Sequence, residues 1–415
     1  MADKGFRRTK HTCYYTYLAM ASAFSLPPIL FMTFNDMYGI SYTQLGTLVL
    51  VNFFTQMTVD LVLTFFSRFF NLRRTICVMP LLTSAGLLVY ALVPSLMPQH
   101  AYAGLVIGTI IFSVAAGLCE VLLSPLVAAL PSDNSERDMS MLHSLYGYGV
   151  VSFVILGTVF LKLFGTQNWM YLVGIAALFP IVSTVLYCMS PMPDMDISHS
   201  PSGGKKQRIG KGMALCVLCI FLGSASENTM TNWISGFMES ALHIPKVTGD
   251  ILGMALFAAL LALTRTAYAK FGKNIMNMLF CSMIGAAVCY LVVALCPVPG
   301  VSMAACVLTG ICTSMLWPGT LILMEEKLPG VGVTAYALMA AGGDCGASIA
   351  PQMLGIVVDK VAVSSWAAEL AAKLSIDPEQ LGMKVGMLAA AVFPILGVML
   401  LMYMKRYFAA KKNAE

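Results

Sequence analysis

Charge is what this sequence has least of. Only 11 % of its 415 residues are Asp, Glu, Lys or Arg, against about 25 % in ordinary soluble domains. Apolar types fill 58 % of it, and mean hydropathy is +0.80. The length would serve about three average soluble domains, but this composition excludes a soluble protein, a disordered chain and a coiled coil. The net charge of +5 is too small for a surface that holds polyanions, so no nucleic-acid partner is expected. A Gly-x-x-x-x-Gly-Lys-[Ser/Thr] phosphate loop is missing. So are a nucleophile–base pair and a Cys/His cluster with metal-ligand spacing. An enzyme is therefore not expected, nor a cofactor or metal, and work across a membrane would have to draw on an ion gradient. Twelve cysteines are present, mostly inside apolar runs where a thiol acts as a small buried hydrophobe. The Cys216-x-x-Cys219 pair lies in such a run, without a His or a second pair near it.

What the chain has instead is apolar length. Twelve stretches reach the roughly 20 residues that cross a bilayer as a helix: 12–35, 42–67, 75–96, 101–129, 140–164, 169–190, 212–238, 246–269, 275–296, 301–326, 333–358 and 383–406. In lipid the backbone must satisfy its own hydrogen bonds, so these read as helices. The first is too long for a signal peptide and lacks its cleavage site. A polar stretch, 191–211, divides the twelve equally. The expected fold class is an all-α membrane protein, with six-helix bundles over 1–190 and 212–415 joined by a linker.

Lys and Arg set the orientation. With the N-terminus inside, only Lys162, Lys246, Lys360, Lys373 and Lys384 of the 25 basic residues fall outside, so both termini and the linker are expected in the cytoplasm. The segment 359–382 then lies outside, and its Trp366, Leu370 and Leu374 predict a short amphipathic helix there. No Asn-x-Ser/Thr acceptor occurs in the sequence. With the short outer loops, this suits a bacterial inner membrane.

The halves repeat one another. Span 4 carries Gly117-Leu-Cys119 with Pro125 eight residues after the glycine, and span 10 carries Gly310-Ile-Cys312 with Pro318 at the same distance. Asp36 precedes Gly46 by ten residues, as Glu239 precedes Gly249. Two related bundles side by side are the parallel-repeat build of secondary transporters, whose substrate site lies between the halves.

A charge near the bilayer centre costs about 2.5–3.5 kcal/mol on insertion scales, so charged residues within spans are candidates for function. Asp60 and Glu120 lie at one depth, roughly 12 Å from the same end of spans 2 and 4. Two neighbouring carboxylates can share a proton, because both cannot ionise cheaply. They can equally hold Na⁺ through oxygens, with Gln56, Asn52 or Ser124 adding ligands, and Gln56 is a candidate for substrate contact as well. Either arrangement couples an ion to transport. The alternative is a plain interhelical hydrogen bond. Asp344, amid Gly342, Gly343 and Gly346, suits coupling or substrate contact. Glu227, Asn228, Asn232 and Trp233 suit a sugar: carboxylate and amide groups take hydroxyls, and an indole covers the apolar ring face. Trp233 suits interfacial anchoring equally well. Trp317 beside Pro318 is expected near the cavity.

Layout and linker resemble the major facilitator superfamily over the whole length. Arg73-Arg74 resembles the basic end of that family's loop between spans 2 and 3, with Ser67 where Asp is usual and Asn71 where Gly is usual. Within the superfamily the nearest likeness is the fucose-permease group of sugar/proton symporters. Glu120-x-x-x-Ser124-Pro125 resembles its span 4, His143-x-x-x-Gly147-x-Gly149 its span 5, Glu227 with Trp233 its span 7, and Gly342-Gly343 with Pro351 its span 11. The resemblance implies that spans 5 and 8 face each other, so that His143 and Arg265 form an inner gate, with Arg73 and Arg74 in a gating role. Arg265 can instead snorkel to headgroups. Glu325 and Glu326 are expected to meet solvent, Arg265 or Lys327.

The leading expectation is a monomeric symporter for a small polar solute, a sugar first, driven by H⁺ or Na⁺ within the lipid bilayer. A proton-coupled exporter of drugs or metabolites with the same fold is the alternative. A non-transporting sensor is the third reading.

Overall fold

The computed structural model describes residues 3–66, 69–132, 135–193, 210–328 and 333–414. The side chain of His143, residues Ser67 and Arg68, and most of the linker expected at 191–211 lie outside the described residues. The first half runs α1 (Asp3–Tyr38), α2 (Tyr42–Phe66), α3 (Leu72–Leu96), α4 (Ala101–Ala129), α5 (Ser135–Phe164), α6 (Trp169–Ala176) and α7 (Leu178–Cys188). The second half opens with α8 (Lys211–Ser240) and the single turn α9 (Lys246–Thr248). A π-helical segment (Gly249–Ala255) leads into α10 (Leu256–Phe271). Then come α11 (Ile275–Leu295), α12 (Pro299–Thr313), α13 (Leu316–Lys327), α14 (Val333–Ala362), α15 (Ser365–Leu374), α16 (Pro378–Ala390) and α17 (Val392–Ala414).

Proline decides where three of the expected spans break. It lacks an N–H and crowds the carbonyl four residues back. The α6/α7 break precedes Pro180, the α12/α13 break precedes Pro318, and the α16/α17 break precedes Pro394. Among the described residues, eleven helical stretches are long and apolar enough to cross a membrane. The twelfth, Ala335–Ala362, passes together with α15, which turns away from it by 82°. α15 is the short amphipathic helix expected from the sequence. It turns Ala367 and Ala371 inward against Val361 and Leu381, and leaves Trp366, Leu370 and Leu374 exposed.

The chain forms two compact units, Met1–Ile40 with Val51–Ser200, and Ser41–Leu50 with Pro201–Glu415. The core of the first unit gathers Tyr17, Met79, Leu122 and Tyr187. The core of the second gathers Cys216, Cys219, Leu279, Leu316 and Met404. The C-x-x-C pair therefore packs as two core side chains one turn apart. The internal repeat holds in space. A Cβ on Gly117 of α4 would press on Val59 and the Gln56 carbonyl of α2. A Cβ on Gly310 of α12 would press on the Phe257 carbonyl of α10. In each half, span 4 or 10 thus approaches span 2 or 8 through the repeated glycine.

The first ten residues of the α2 region belong to the second unit, and their hydrogen bonds show why. Ser41 and Gln44 form a reciprocal capping box: the Ser41 N–H donates to Gln44 Oε1 (3.0 Å) and the Gln44 N–H to Ser41 Oγ (3.3 Å). Two further orphan donors, the N–H groups of Tyr42 and Thr43, are taken by the Asp359 carboxylate of α14 at 3.1 and 2.7 Å. A negative charge at a helix N-terminus is favourable. The Tyr42 ring lies 5.9 Å from that of Trp233, and its hydroxyl donates to Glu379.

Candidate functional site

Between residues 222 and 238, α8 is buried except at Glu227, Asn228, Thr231 and Asn232. Those positions are i, i+1, i+4 and i+5, one face of a helix, and all four are polar. A seventeen-residue stretch of a span whose accessible positions are all polar must line a space that admits water or solute, since polar groups turned to lipid would go unsatisfied. Asn228 Nδ2 donates back to Ser224, at 3.1 Å to its carbonyl and 3.2 Å to its hydroxyl, and Asn232 Nδ2 donates to the Asn228 carbonyl at 2.9 Å. Asn228 therefore spends both of its donors, and Asn232 one of its two, on their own helix.

Glu227 pairs with Arg265 of α10. Nη2 of the guanidinium reaches both carboxylate oxygens, at 2.9 and 3.2 Å. Arg265 Nε donates to the Ser314 carbonyl at 2.8 Å. Pro318 explains why that carbonyl is available: it stands four residues after Ser314 and has no N–H to return. The side chain of Arg265 is 40 % exposed and that of Glu227 15 %. Arg265 thus meets neither Glu325 nor Glu326. Glu326 pairs with Lys327 and Glu325 takes the Tyr336 hydroxyl.

The other expected residues of the second unit fall at different depths of packing. Trp233 is fully buried, and its indole N–H donates to the Pro351 carbonyl at 3.0 Å. Its ring face is taken by Tyr42, so no face is presented to a solute here. Asp344 is 5 % exposed. The Trp317 ring lies over the adjoining Gly343 so closely that no Cβ fits, which brings Trp317 to the α14 turn that carries Asp344.

In the first unit, Asn52, Gln56 and Asp60 follow one another at i, i+4 and i+8 along α2. Asn52 Oδ1 accepts from Gln56 Nε2 (3.1 Å) and from the Ser113 hydroxyl of α4 (2.6 Å). Gly117 lets α4 close on α2 at Gln56 and Val59, next to Asp60 and one helical turn before Glu120. Asp60 is 8 % exposed, whereas Glu120 is solvent-accessible. Tyr17 of α1 packs in the core that α4 shares around Cys119 and Leu123, beside Glu120. A ladder of polar groups thus runs to two acids. Arg73 and Arg74 stand exposed at the start of α3, where Asn71 caps the helix by accepting the Arg74 N–H at 3.0 Å.

Asp250 escaped the sequence reading. It is fully buried at the π-helical segment, accepts the Ser235 hydroxyl and lies 3.6 Å from Lys246, which also reaches Glu239 at 3.5 Å. The signal was present: an acid inside an apolar span, four residues after a lysine. Asp359 and Glu379 were likewise passed over. A groove of about 420 Å³ near the α10–α11 turn is lined by Thr264, Tyr268, Lys273 and Asn277 and holds none of the expected site residues.

A multi-pass helical protein with a polar accessible face on one span and two acids at the end of a polar ladder on another has the build of a solute transporter. The family model of the Major Facilitator Superfamily matches residues 13–351, and the chain belongs to that superfamily. Similar solved structures bear out the fold. One is a bacterial homologue of the human lysosomal transporter Spinster in an inward-facing, occupied conformation, with 12 % identity, 98 % of this chain and 97 % of that one covered, and a TM-score of 0.75. Another is a D-xylose–proton symporter, with 15 % identity, 94 % and 97 % coverage and a TM-score of 0.72. The E. coli fucose:proton symporter is also similar, with 12 % identity, 95 % and 99 % coverage and a TM-score of 0.57. No curated protein matches the chain in sequence.

Proposed function

We propose that this transporter moves a small polar solute, of the sugar class, in symport with H⁺ or Na⁺ by alternating access. The observation that carries the reading is the α8 face: Glu227, Asn228, Thr231 and Asn232 are the only accessible side chains of a seventeen-residue buried stretch, and none is apolar. Glu227 enters this reading as the holder of Arg265, with the two asparagine oxygens as hydroxyl acceptors. The carboxylates of Asp60 and Glu120 are the coupling pair, with Gln56 and Asn52 as neighbours able to add oxygens to a cation. Asp344 and Trp317 complete the polar lining, and His143 and Arg265 gate the inner side together with Arg73 and Arg74. The protein works as a monomer in a bacterial inner membrane, with both termini in the cytoplasm.

Thermal stabilisation of the purified protein by sugars, polyols and organic acids, at two pH values and with or without Na⁺, tests this. A ligand at a hundred times its Kd adds about 2.7 kcal/mol. The reading expects a polar ligand whose effect grows with Na⁺ or with acid. Stabilisation by lipophilic cations alone would replace it with a drug exporter.

A further inference from the structure

Arg265 is only partly used by the protein. Nε goes to the Ser314 carbonyl, and Nη2 alone serves both oxygens of Glu227. A guanidinium has five N–H donors in a planar fork and commonly meets a carboxylate with two parallel bonds. Here a single nitrogen makes the pair, and among the described residues Nη1, with its two N–H groups, has no partner. The side chain keeps 40 % of its surface accessible. On the adjoining α8 face, Asn228 has committed both N–H donors to Ser224, and Asn232 one of its two to the Asn228 carbonyl. Their oxygens remain one turn apart as acceptors without a partner among the described residues. The face thus offers one cationic fork and two neutral acceptors.

We infer that Arg265 Nη1 takes an acidic group of the solute, so that the preferred class is a sugar acid, a hydroxylated carboxylate, over the neutral sugar of the same shape. This rests on the reading that the solute binds at the α8 face. The hydroxyls donate to the oxygens of Asn228 and Asn232. The carboxylate meets the open edge of a guanidinium that Glu227 and Ser314 hold in place, and Arg265 needs no new conformation to accept it.

Matched pairs of ligands separate the two classes: D-glucuronate with D-glucose, D-galacturonate with D-galactose, and D-gluconate with sorbitol. Binding is read by stabilisation of the full-length protein and by uptake into proteoliposomes. The acid of a pair should bind about tenfold tighter or better than its neutral counterpart, the yield of a charge-assisted hydrogen bond. Removing one member of the ion pair risks misfolding, so the decisive variant removes both. Glu227→Gln with Arg265→Gln should fold and lose the discrimination between the two members of each pair. Glu227→Gln alone leaves Arg265 uncompensated and should tighten the acids several-fold relative to the neutral members. Equal affinity within every pair, or discrimination that survives the double substitution, overturns the inference and leaves the polar-solute reading standing. Failure of acids and neutral sugars alike to bind overturns both.

Discussion

Ser314 owes its part in the site to a residue four positions on. Pro318 gives no N–H to the Ser314 carbonyl, and Arg265 Nε takes it instead at 2.8 Å. Pro318→Ala restores a competing donor. We expect solute affinity to fall by about an order of magnitude as Arg265 loosens, with a thermal midpoint that holds or rises; unchanged affinity would detach Ser314 from the site. Asp138 makes a separate claim outside the membrane spans. Burial pushes its carboxyl up, but hydrogen bonds from Ser132 (2.6 Å), Lys10 (3.0 Å) and Tyr14 (3.1 Å) outweigh it and hold it below the usual carboxylate range. A carboxylate depressed on folding contributes stability above its unfolded pKa of about 3.9 and loses it as pH falls through the folded value. The stability gap between the protein and Asp138→Asn should therefore be full at neutral pH and close only in acid below about pH 4. A gap that is constant down to pH 3 would refute the assignment.

Two elements carry testable packing claims. The N-terminus of α2 is held by Asp359, and Asp359→Ala should lower stability in detergent by about 1–2 kcal/mol, the range for a charged helix cap. Asp359→Asn should recover part of that loss, and a neutral Asp359→Ala would show the cap to be idle. On α14, Gly346 lies against the Phe221 carbonyl with no room for a Cβ. Overpacking there by Gly346→Val should cost about 1–3 kcal/mol, read as thermal inactivation. The spans themselves were legible in the sequence because length and hydropathy suffice to define a membrane helix, but their breaks before Pro180, Pro318 and Pro394 were not read there. The π-helical segment was not legible. Gly249 and Gly253 pack against Met238 of a different helix, so the register change depends on tertiary contact. Nor was the cover over Trp233 legible, since it comes from Tyr42, remote in sequence.

For the whole molecule, one pairing of charged side chains could be read from the sequence and another could not. Asp60 and Glu120 could be matched by counting residues to the span ends, because helical rise converts sequence into depth. Glu227 and Arg265 could not, since depth along two spans does not say which faces meet. The sugar-stacking reading of Trp233 treated an indole in a span as accessible, whereas the ring is buried and bonded to Pro351. Membership of the superfamily fixes the transporter class, and the remaining claim is that a cation gradient drives a polar solute. Uptake into proteoliposomes under an imposed H⁺ or Na⁺ gradient tests it most directly. The account predicts accumulation above the equilibrium level with one of the two gradients. Glu120→Gln should abolish it while solute-induced stabilisation persists. Uptake that only equilibrates whatever the gradient, or that survives Glu120→Gln undiminished, would contradict it.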